Sequence, residues 1–261
     1  MRLLREIGEY RELLLVLVAR NIKIRYKGSA LGFLWTLLNP IFLIAIYAVF
    51  LSILRFRIPI PILVTGILVW QFLSMCMGYS LHAVIGNANL VKKTTFPRII
   101  LPLSMVVANF INFLLSLVVL FAYLLIVGAD FGNLLWLPVI IATQCALCLG
   151  IALIFSASNV FFRDTEHSLQ VISMAWFFLT PVIYPLKYPL DIIRAHFPEV
   201  MTWLFFANPM AGLVSAYRMV LLSTDTVPAR YLAVSAAVSW LVCAIGIVIY
   251  QRLQERFADE L

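Results

Sequence analysis

Hydrophobic residues in this chain are grouped into long stretches that contain no Asp, Glu, Lys or Arg. These stretches cover residues 28–54, 58–91, 99–129, 131–162, 167–186, 200–217 and 231–251. A helix needs ~20 apolar residues to cross the ~30 Å hydrocarbon core of a bilayer. The first five stretches and the last one meet that requirement, so the pattern predicts an all-α integral membrane protein with six transmembrane helices.

The stretch 200–217 differs because Asn208-Pro209 interrupts it. It also follows a proline-rich run with Pro181, Pro185, Pro189 and Pro198. Proline breaks helices, and broken apolar segments at membrane depth persist only where protein or a cavity covers their backbone. We therefore predict re-entrant helices between spans five and six.

Residues 1–28 show a third pattern. Apolar positions and one amide recur at helical spacing, at Leu3, Ile7, Tyr10, Leu14, Leu17 and Asn21. The remaining arc carries charge, at Arg2, Arg5, Glu6, Glu9 and Glu12. This periodicity predicts an amphipathic helix in the membrane interface, with its basic residues facing lipid phosphates. A soluble amphipathic helix packed on another protein is the alternative.

The composition supports a membrane protein. Hydrophobic residues make up 64% of the 261 and charged residues 12%, whereas soluble domains are usually ~45–50% apolar and ~25% charged. A soluble enzyme, a disordered chain and a nucleic-acid-binding module are therefore excluded, despite the net charge of +7. Cys145 and Cys148 form a C-x-x-C in an uncharged run, which favours helix packing over a redox or metal pair.

Basic residues are distributed unequally between the predicted loops. One side has thirteen, at Arg2, Arg5, Arg11, Arg20, Lys23, Arg25, Lys27, Lys92, Lys93, Arg98, Arg163, Arg252 and Arg256. The other side has six, at Arg55, Arg57, Lys187, Arg194, Arg218 and Arg230. The positive-inside rule places the richer side in the cytoplasm. Both termini are then cytoplasmic, and the re-entrant helices are extracytoplasmic.

The predicted spans contain no charged residue at depth. Ion-coupled carriers usually need one to hold the ion or proton, and membrane enzymes need a catalytic or metal-binding constellation. Neither is visible here, so we predict no catalytic residue and no metal site. No Gly-rich phosphate loop is present, so the energy for any transport must come from another polypeptide.

Two sets of uncharged side chains could line a path for a substrate. Asn109 and Asn112 lie on one helix face and could form a polar conduit, or bridge helices within the bundle. The aromatic residues Trp176, Phe177, Tyr184 and Tyr188 exceed what interface belts require. Such rings could stack against a passing sugar chain, or simply pack or face lipid.

Several short motifs, in order, resemble those of the type-2 ABC exporter permeases that export O-antigen, capsule or teichoic acid. They are residues 25–29 (RYKGS), 31–35 (LGFLW), 37–40 (LLNP), 87–90 (NANL), 92–98 (KKTTFPR), 101–102 (LP), 162–164 (FRD), 180–185 (TPVIYP) and 208–209 (NP). The motifs are specific in combination, and the resemblance covers nearly the whole chain.

The resemblance implies a homodimer bound to two copies of a separate ABC ATPase subunit, which would bind ATP and Mg. It implies a glycan on an undecaprenyl-diphosphate lipid as substrate, and a location in the bacterial cytoplasmic (inner) membrane. The chain then divides into the interface helix 1–28, a transmembrane domain 29–254 and a cytoplasmic tail 255–261.

Three sets of candidate site residues follow from this resemblance together with the residue chemistry. Contact with the ATPase is expected at Asn87, Leu90, Lys92, Lys93, Phe96, Pro97, Arg98, Arg163 and Asp164. Substrate access is expected at Arg25, Lys27, Trp35 and Asn39. The conduit and exit gate are expected at Asn109, Asn112, Trp176, Phe177, Tyr184, Tyr188, Asn208 and Pro209.

The charged members of these sets have simpler readings as well. Arg25 and Lys27 could receive the lipid diphosphate or only set the topology, and Lys92 and Lys93 could pair with the ATPase or only obey the same charge bias. A permease of the same superfamily that exports a drug or other small molecule is the alternative function.

Overall fold

A computed structural model of the chain describes residues 8–54, 58–162 and 164–261. These residues form helices joined by short connections, and no strand occurs among them. The helices are α1 (Arg11–Tyr26), α2 (Trp35–Leu54), α3 (Ile60–Leu81), α4 (Ala88–Lys93), α5 (Ile100–Val127), α6 (Leu137–Phe161), α7 (Thr165–Leu179), α8 (Lys187–His196), α9 (Val200–Ala207), α10 (Pro209–Leu222), α11 (Ala229–Leu253) and α12 (Phe257–Glu260). The prediction of an all-α membrane protein is confirmed.

Five helices in the described part of the chain are long and apolar enough to cross a membrane. Counted with their adjoining short helical turns, they are Gly32–Ile53, Ile60–Leu81, Ile100–Val127, Leu134–Phe161 and Ala229–Glu260. They correspond to α2, α3, α5, α6 and α11, so five of the six predicted spans are found where the hydrophobic stretches placed them.

The two ends of this bundle differ in charge. One end carries Lys27, Lys92, Arg98 and Arg252, and we call it the basic end. A buried apolar cluster there joins α1, α4, the start of α5, the end of α11 and α12. Both ends of the described chain therefore lie at the basic end. The opposite end, where α3, α6 and α11 begin, is called the distal end.

The fifth predicted span, 167–186, is shorter as a helix than expected. Helix α7 has 15 residues and is therefore about 22 Å long. It ends at Leu179 because Pro181 and Pro185 cannot continue it. Residues 180–185 form a turn that continues to the distal end. There Arg218 donates hydrogen bonds both to the Val182 carbonyl of this turn and to the Ile62 carbonyl of α3. At the basic end, Glu166 lies 3.7 Å from His82, so α7 and the turn together connect the two ends.

Helices α9 and α10 form a sharply bent pair, with an angle of 87° between them. The residue before α9, Glu199, contacts Arg230 at the start of α11. The end of α10 is also distal, because the Gly132 backbone N–H donates to the Val220 carbonyl at 2.8 Å. Both limbs therefore enter and leave at the distal end, which confirms the prediction of a re-entrant segment.

Helices α3, α6 and α10 are the most buried of the bundle, and α11 packs along α6. Gly150 on α6 and Gly246 on α11 bring these two helices into backbone contact, since a Cβ added at Gly246 would lie 2.8 Å from the Gly150 Cα. Two amides connect α6 to α3: Gln144 donates to the Val69 carbonyl at 2.8 Å, and Asn159 donates to the Leu81 carbonyl at 3.0 Å. Both amides therefore bridge helices within the bundle, which is the role considered above as the alternative for Asn109 and Asn112.

Helix α1 lies against α5 at the basic end. It buries Leu17, Val18 and Asn21, and the Asn21 amide donates to the Ser104 hydroxyl at 3.0 Å. The predicted positions at Leu3 and Ile7, with Arg2, Arg5 and Glu6, lie outside the described residues. The outward side of α1 is not uniformly polar, because Leu15, Val16 and Ile24 are exposed there.

Candidate functional site

A cleft of about 350 Å³ opens at the basic end between α1, α3 and α5. Its walls include two arginines of α1, Arg20 and Arg25, together with Tyr79 and His82 from the end of α3. The Arg20 guanidinium donates to the Asn87 Oδ1 at 2.6 Å. The cleft therefore gathers two basic side chains of one helix, and Arg20 was not among the predicted access residues.

Arg25 extends from α1 into this cleft. Its Nη2 donates to the Asn109 Oδ1 at 2.6 Å, and its guanidinium lies 4.0 Å from the centre of the Tyr79 ring. The Arg25 Nε and Nη1 are buried and have no hydrogen-bond partner among the described residues. A guanidinium binds phosphate oxygens through paired N–H groups, and both such pairs of Arg25 include Nη2. Arg25 must therefore leave Asn109 before it can hold an anion that reaches the cleft.

Asn109 and Asn112 do not face an open path. Both are buried, and they line a cavity of about 30 Å³ together with Asn39 and Gln71. Such a volume holds about one or two waters. Neither amide atom of Asn112 has a partner among the described residues. The structure therefore places these asparagines beside the predicted access residue Asn39, inside one bundle.

An open groove of about 400 Å³ runs between α3 and α7. Trp70 and Phe177 lie at one end of it, and Ser74 and Met77 line it further along. Gly78 lines both this groove and the arginine cleft. The cleft and the groove therefore adjoin along α3, and a Cβ added at Gly78 would meet no atom within 4 Å.

The aromatic residues of α7 lie at the distal part of this groove. Trp70 packs edge-on against Trp176, with ring centres 6.0 Å apart, and against Phe177 at 5.5 Å. The Trp176 indole N–H donates to the Asn208 Oδ1 at 2.8 Å. Two predicted aromatics and one predicted asparagine of the exit gate are therefore in contact.

Asn208 joins the end of α7 to the start of α10. Its Oδ1 also accepts the Met210 backbone N–H at 3.1 Å, which caps α10 in front of Pro209 at the first helical position. Its Nδ2 donates to the Thr180 hydroxyl at 3.0 Å and to the Leu179 carbonyl at 3.3 Å. Proline at that position needs no backbone donor, so the motif Asn-Pro builds the break between α9 and α10.

The two tyrosines expected at the exit gate lie on different elements. Tyr184 belongs to the turn 180–185, and its hydroxyl donates to the Phe178 carbonyl at 3.0 Å. Tyr188 is on α8 and is 56% exposed. No ring contact between Tyr184 and Tyr188 is found.

Arg218 is the functional candidate that the sequence reasoning missed. It was counted as a flanking charge of a distal loop, but it lies within α10 and its side chain is fully buried. Its guanidinium donates to backbone carbonyls of α3 and of the turn 180–185, and lies 3.4 Å from the Asp225 carboxylate. Burial raises the pKa of the Asp225 carboxyl, and the Arg218 charge opposes that rise. A single arginine inside the apolar run of α10 was the available signal.

The connection between α3 and α5 contains most of the predicted ATPase-contact residues. Lys92 and Lys93 are exposed at the end of α4. Leu90 and Phe96 pack in part against the chain's own cluster at the basic end, and Asn87 is buried and bonded to Arg20.

Arg98 and Pro97 are half-buried at the end of the same connection. The Arg98 side chain donates to the Gln254 carbonyl, and its own carbonyl accepts the Tyr250 hydroxyl at 2.9 Å. The exposed surface of this connection is therefore formed by the two lysines and the threonines that follow them, rather than by Phe96 or Arg98.

The remaining predicted residues are scattered. Asp164 is exposed just before α7, and Arg163 lies outside the described residues. Lys27 is exposed after the last residue of α1, and Trp35 is 37% exposed, with its ring centre 6.2 Å from that of Phe42. Lys27 therefore does not share the cleft with Arg25.

These features define a class: a multi-pass helical membrane protein with a re-entrant segment and a basic cleft at one end. The sequence model of the ABC-2 type transporter family matches residues 12–222, and the chain belongs to this family. It is a permease, a membrane component of an ABC transporter rather than an enzyme, and this membership implies an ATPase partner.

Similar proteins are found along the full length of the chain. An O-antigen export system permease protein RfbA of Klebsiella pneumoniae is 33% identical over 261 residues, covering 98% of this chain and 97% of the relative. The protein of the same name from Myxococcus xanthus is 34% identical over 268 residues, covering 100% of this chain and 99% of the relative.

Proposed function

We propose that this chain is the permease subunit of an ATP-driven exporter that moves a lipid-linked polysaccharide of the O-antigen kind across the bacterial cytoplasmic membrane. The observation that carries the proposal is the full-length similarity to two O-antigen export permeases. Capsule and teichoic acid are the other substrates that the resemblance implies.

The orientation follows from charge. The basic end has the excess of Lys and Arg, and in a bacterial membrane such an end faces the cytoplasm. Both termini are then cytoplasmic, and the re-entrant pair α9–α10 opens to the outside. The cleft with Arg20 and Arg25 lies at the level of the inner lipid head groups.

The cleft suits the diphosphate of an undecaprenyl-linked glycan. Arg20 and Arg25 line it together, and release of Arg25 from Asn109 would free its paired N–H groups for phosphate oxygens. Charge-assisted hydrogen bonds to phosphate are about twice as strong as neutral ones. Lys27, which does not share this cleft, contributes to the topology.

The groove between α3 and α7 is the proposed route of the glycan. It adjoins the cleft at Gly78 and leads to Trp70, Trp176 and Phe177, whose rings offer apolar faces to sugars. One side of the groove is open, and side chains of α2 and α7 such as Ile53 and Val171 are about 70% exposed. A second copy of the chain would cover these surfaces and complete the conduit.

Two copies of an ABC ATPase, with ATP and Mg bound to them, would contact the basic end of this homodimer. Lys92 and Lys93 are the exposed cations of the α3–α5 connection. Asn87 ties that connection to α1 through Arg20, and Asn21 ties α1 to α5. Movement of the ATPase would therefore reach the cleft and α5 together.

Substitution of Gly78 by Trp tests the route. The side chain would project into the open space shared by cleft and groove, so we expect loss of glycan export in a strain that depends on this transporter. Membrane insertion and ATPase binding should persist.

Val118→Trp is the matched control, because Val118 lies on the exposed face of α5 at 63% exposure. Full export by the Gly78→Trp variant would contradict the proposed route. Export of a small molecule by the wild-type transporter, with no export of glycan, would favour the alternative drug-exporting function.

A further inference from the structure

Arg218 occupies a position where an ionised side chain is costly. It lies in α10, whose residues from 209 to 222 are buried with one half-buried exception, and its side chain has 0% exposure. A charge removed from water destabilises a protein unless it is paired and hydrogen-bonded. The surrounding structure must therefore supply partners to this guanidinium.

The partners come from two segments that are far apart in the sequence. The Arg218 Nε donates to the Ile62 carbonyl of α3 at 3.0 Å. Its Nη2 donates to the Val182 carbonyl at 2.7 Å, and its Nη1 donates to the Tyr184 carbonyl at 3.1 Å. Because the N–H groups of a guanidinium are fixed in one plane, Arg218 sets the position of the turn 180–185 relative to α3.

Gly66 provides a second and independent sign that this contact is close. A Cβ on Gly66 would lie 2.6 Å from the Arg218 Nη2 and would also collide with the Val182 carbonyl oxygen. The turn therefore approaches α3 at the one residue of α3's first two turns that has no side chain. Any larger residue would force the turn or the guanidinium away.

Asp225 completes the arrangement from the loop between α10 and α11. Its carboxylate lies 3.4 Å from the Arg218 Nη1, is 7% exposed, and accepts a backbone hydrogen bond from Leu186 just after the turn. The turn is thus held within its own length by Arg218 and just after its last residue by Asp225, and Asp225 in turn pairs with Arg218.

We propose that Arg218 is a positioning residue that holds the turn 180–185 closed against α3 and α10 at the distal end of the conduit. The inference rests on the proposed function, in which this turn follows Trp176 and Phe177 at the exit. The turn is bonded to Arg218 in this structure, so the proposal takes this closed arrangement as the resting one and requires the turn to leave Arg218 when the exit opens.

The test measures passive leak through the purified transporter with its ATPase, reconstituted in vesicles without ATP and without glycan. Release of a small charged fluorophore reports the closed state of the exit. Loss of hydrogen bonds to a charged group should shift the closed–open equilibrium, so we expect Arg218→Gln to raise the leak about tenfold or more. Arg218→Lys should restore closure only in part, because an ammonium cannot reproduce the planar set of donors.

Two further variants make the outcome decisive. Gly66→Ala should raise the leak as Arg218→Gln does, while it leaves the arginine in place. Arg230→Gln, at an exposed site of the same end, should not change it. The proposal is overturned if Arg218→Gln and Gly66→Ala insert normally and leak no more than the wild type, or if Arg218→Lys restores closure fully.

If Arg218→Gln does not insert, Gly66→Ala decides, and if neither inserts, Ile183→Cys in the otherwise native chain decides. Ile183 is a half-buried residue of the turn, so a membrane-impermeant thiol reagent should label the cysteine faster during ATP turnover than at rest. Equal rates would overturn the proposal. Glycan export by the wild-type transporter is measured separately in cells, so a failure of the proposed function is distinguishable from a failure of the role of Arg218.

Discussion

Charged side chains at the two ends of the bundle differ in whether they have partners within the chain. At the distal end, Arg218 is bonded to carbonyls and to Asp225, and Arg230 lies 3.0 Å from Glu199. At the basic end, Lys92 and Lys93 are exposed and form no ion pair with any other described residue. These two arginines of the distal end are therefore held by contacts within the chain, whereas the two lysines of the basic end are available to other molecules.

This difference suggests that the two groups of side chains have different roles, one in the stability of the chain and the other in its binding to other molecules. Substitutions of polar groups held at the distal end, or in the re-entrant pair that opens there, should lower the stability of the chain itself. Substitutions of the exposed cations at the basic end should leave the fold intact and weaken association.

Asn208→Leu, at the break of the re-entrant pair that opens at the distal end, should lower the stability of the chain most. It removes the acceptor for Trp176 and Met210 and the donor to Thr180, so we expect a loss of about 3 kcal/mol. Thermal unfolding of the detergent-purified transporter measures it. Asn133→Leu is the control, because Asn133 makes one comparable bond, to the Leu135 N–H at the distal end, and should cost about 1 kcal/mol. Equal losses in both variants would contradict the central role of Asn208.

Charge reversal of Lys92 and Lys93 together should act only at the basic end. We expect the amount of ATPase that copurifies with the chain to fall about tenfold, since like charges brought together at an interface cost several kcal/mol. The unfolding temperature should not change.

The matched control for that pair is charge reversal of Lys187 and Arg194 on α8, two exposed cations of the distal end. It should leave ATPase binding unaltered. Normal ATPase recovery from the Lys92/Lys93 variant would show that these lysines do not form the contact.

Arg25→Gln should weaken stimulation of the ATPase by the lipid-linked glycan. A hydrogen bond to a charged group contributes about 1.5–3 kcal/mol, so the glycan concentration needed for half-maximal stimulation should rise about tenfold or more. Lys27→Gln, two residues away but outside the cleft, should change it little. A similar shift in both variants would mean that net charge, rather than the cleft, is responsible.

Glu199→Gln should have the smallest effect, although it breaks an ion pair at the distal end. The side chains of Glu199 and Arg230 are 63% and 58% exposed, and exposed pairs contribute about 1 kcal/mol or less. We expect an unfolding temperature close to that of the wild type in 150 mM salt (an ionic strength at which such pairs are largely screened). A loss of stability as large as that of Asn208→Leu would show that this ion pair stabilises the chain as strongly as Asn208 does.

Much of the fold was predictable because a bilayer imposes simple rules on sequence. Length and absence of charge located five spans, and the interruption at Asn208-Pro209 located the re-entrant pair. The extent of α7 was not predictable in the same way. Its hydrophobic stretch continues to Leu186, and apolar composition alone does not show that the helix ends at Leu179 while the chain goes on as a buried turn.

The candidate site was predicted less completely. Residue type suggested Arg25, Asn109 and Trp176, and the structure shows that Arg25 contacts Asn109. The sequence could not show that Asn109 faces a cavity of about 30 Å³ instead of an open path. Helical spacing shows which residues share a face, but it does not show which helix packs against that face. Arg218 was not predicted because a charge at the end of an apolar stretch is typical of a residue that flanks a span. Its carbonyl partners, which lie far away in the sequence, are visible only in the structure.

The contact between Gly150 and Gly246 has a consequence for biosynthesis. Helix α6 is made well before α11, so the small-residue face around Gly150 enters the membrane without its partner and is covered only when the later helix arrives. Helix α10, which packs against Ser235 of α11 through Gly212, must wait in the same way. The bundle can therefore be completed only after α11 has been made, and until then the surfaces around Gly150 and Gly212 lack their native partner.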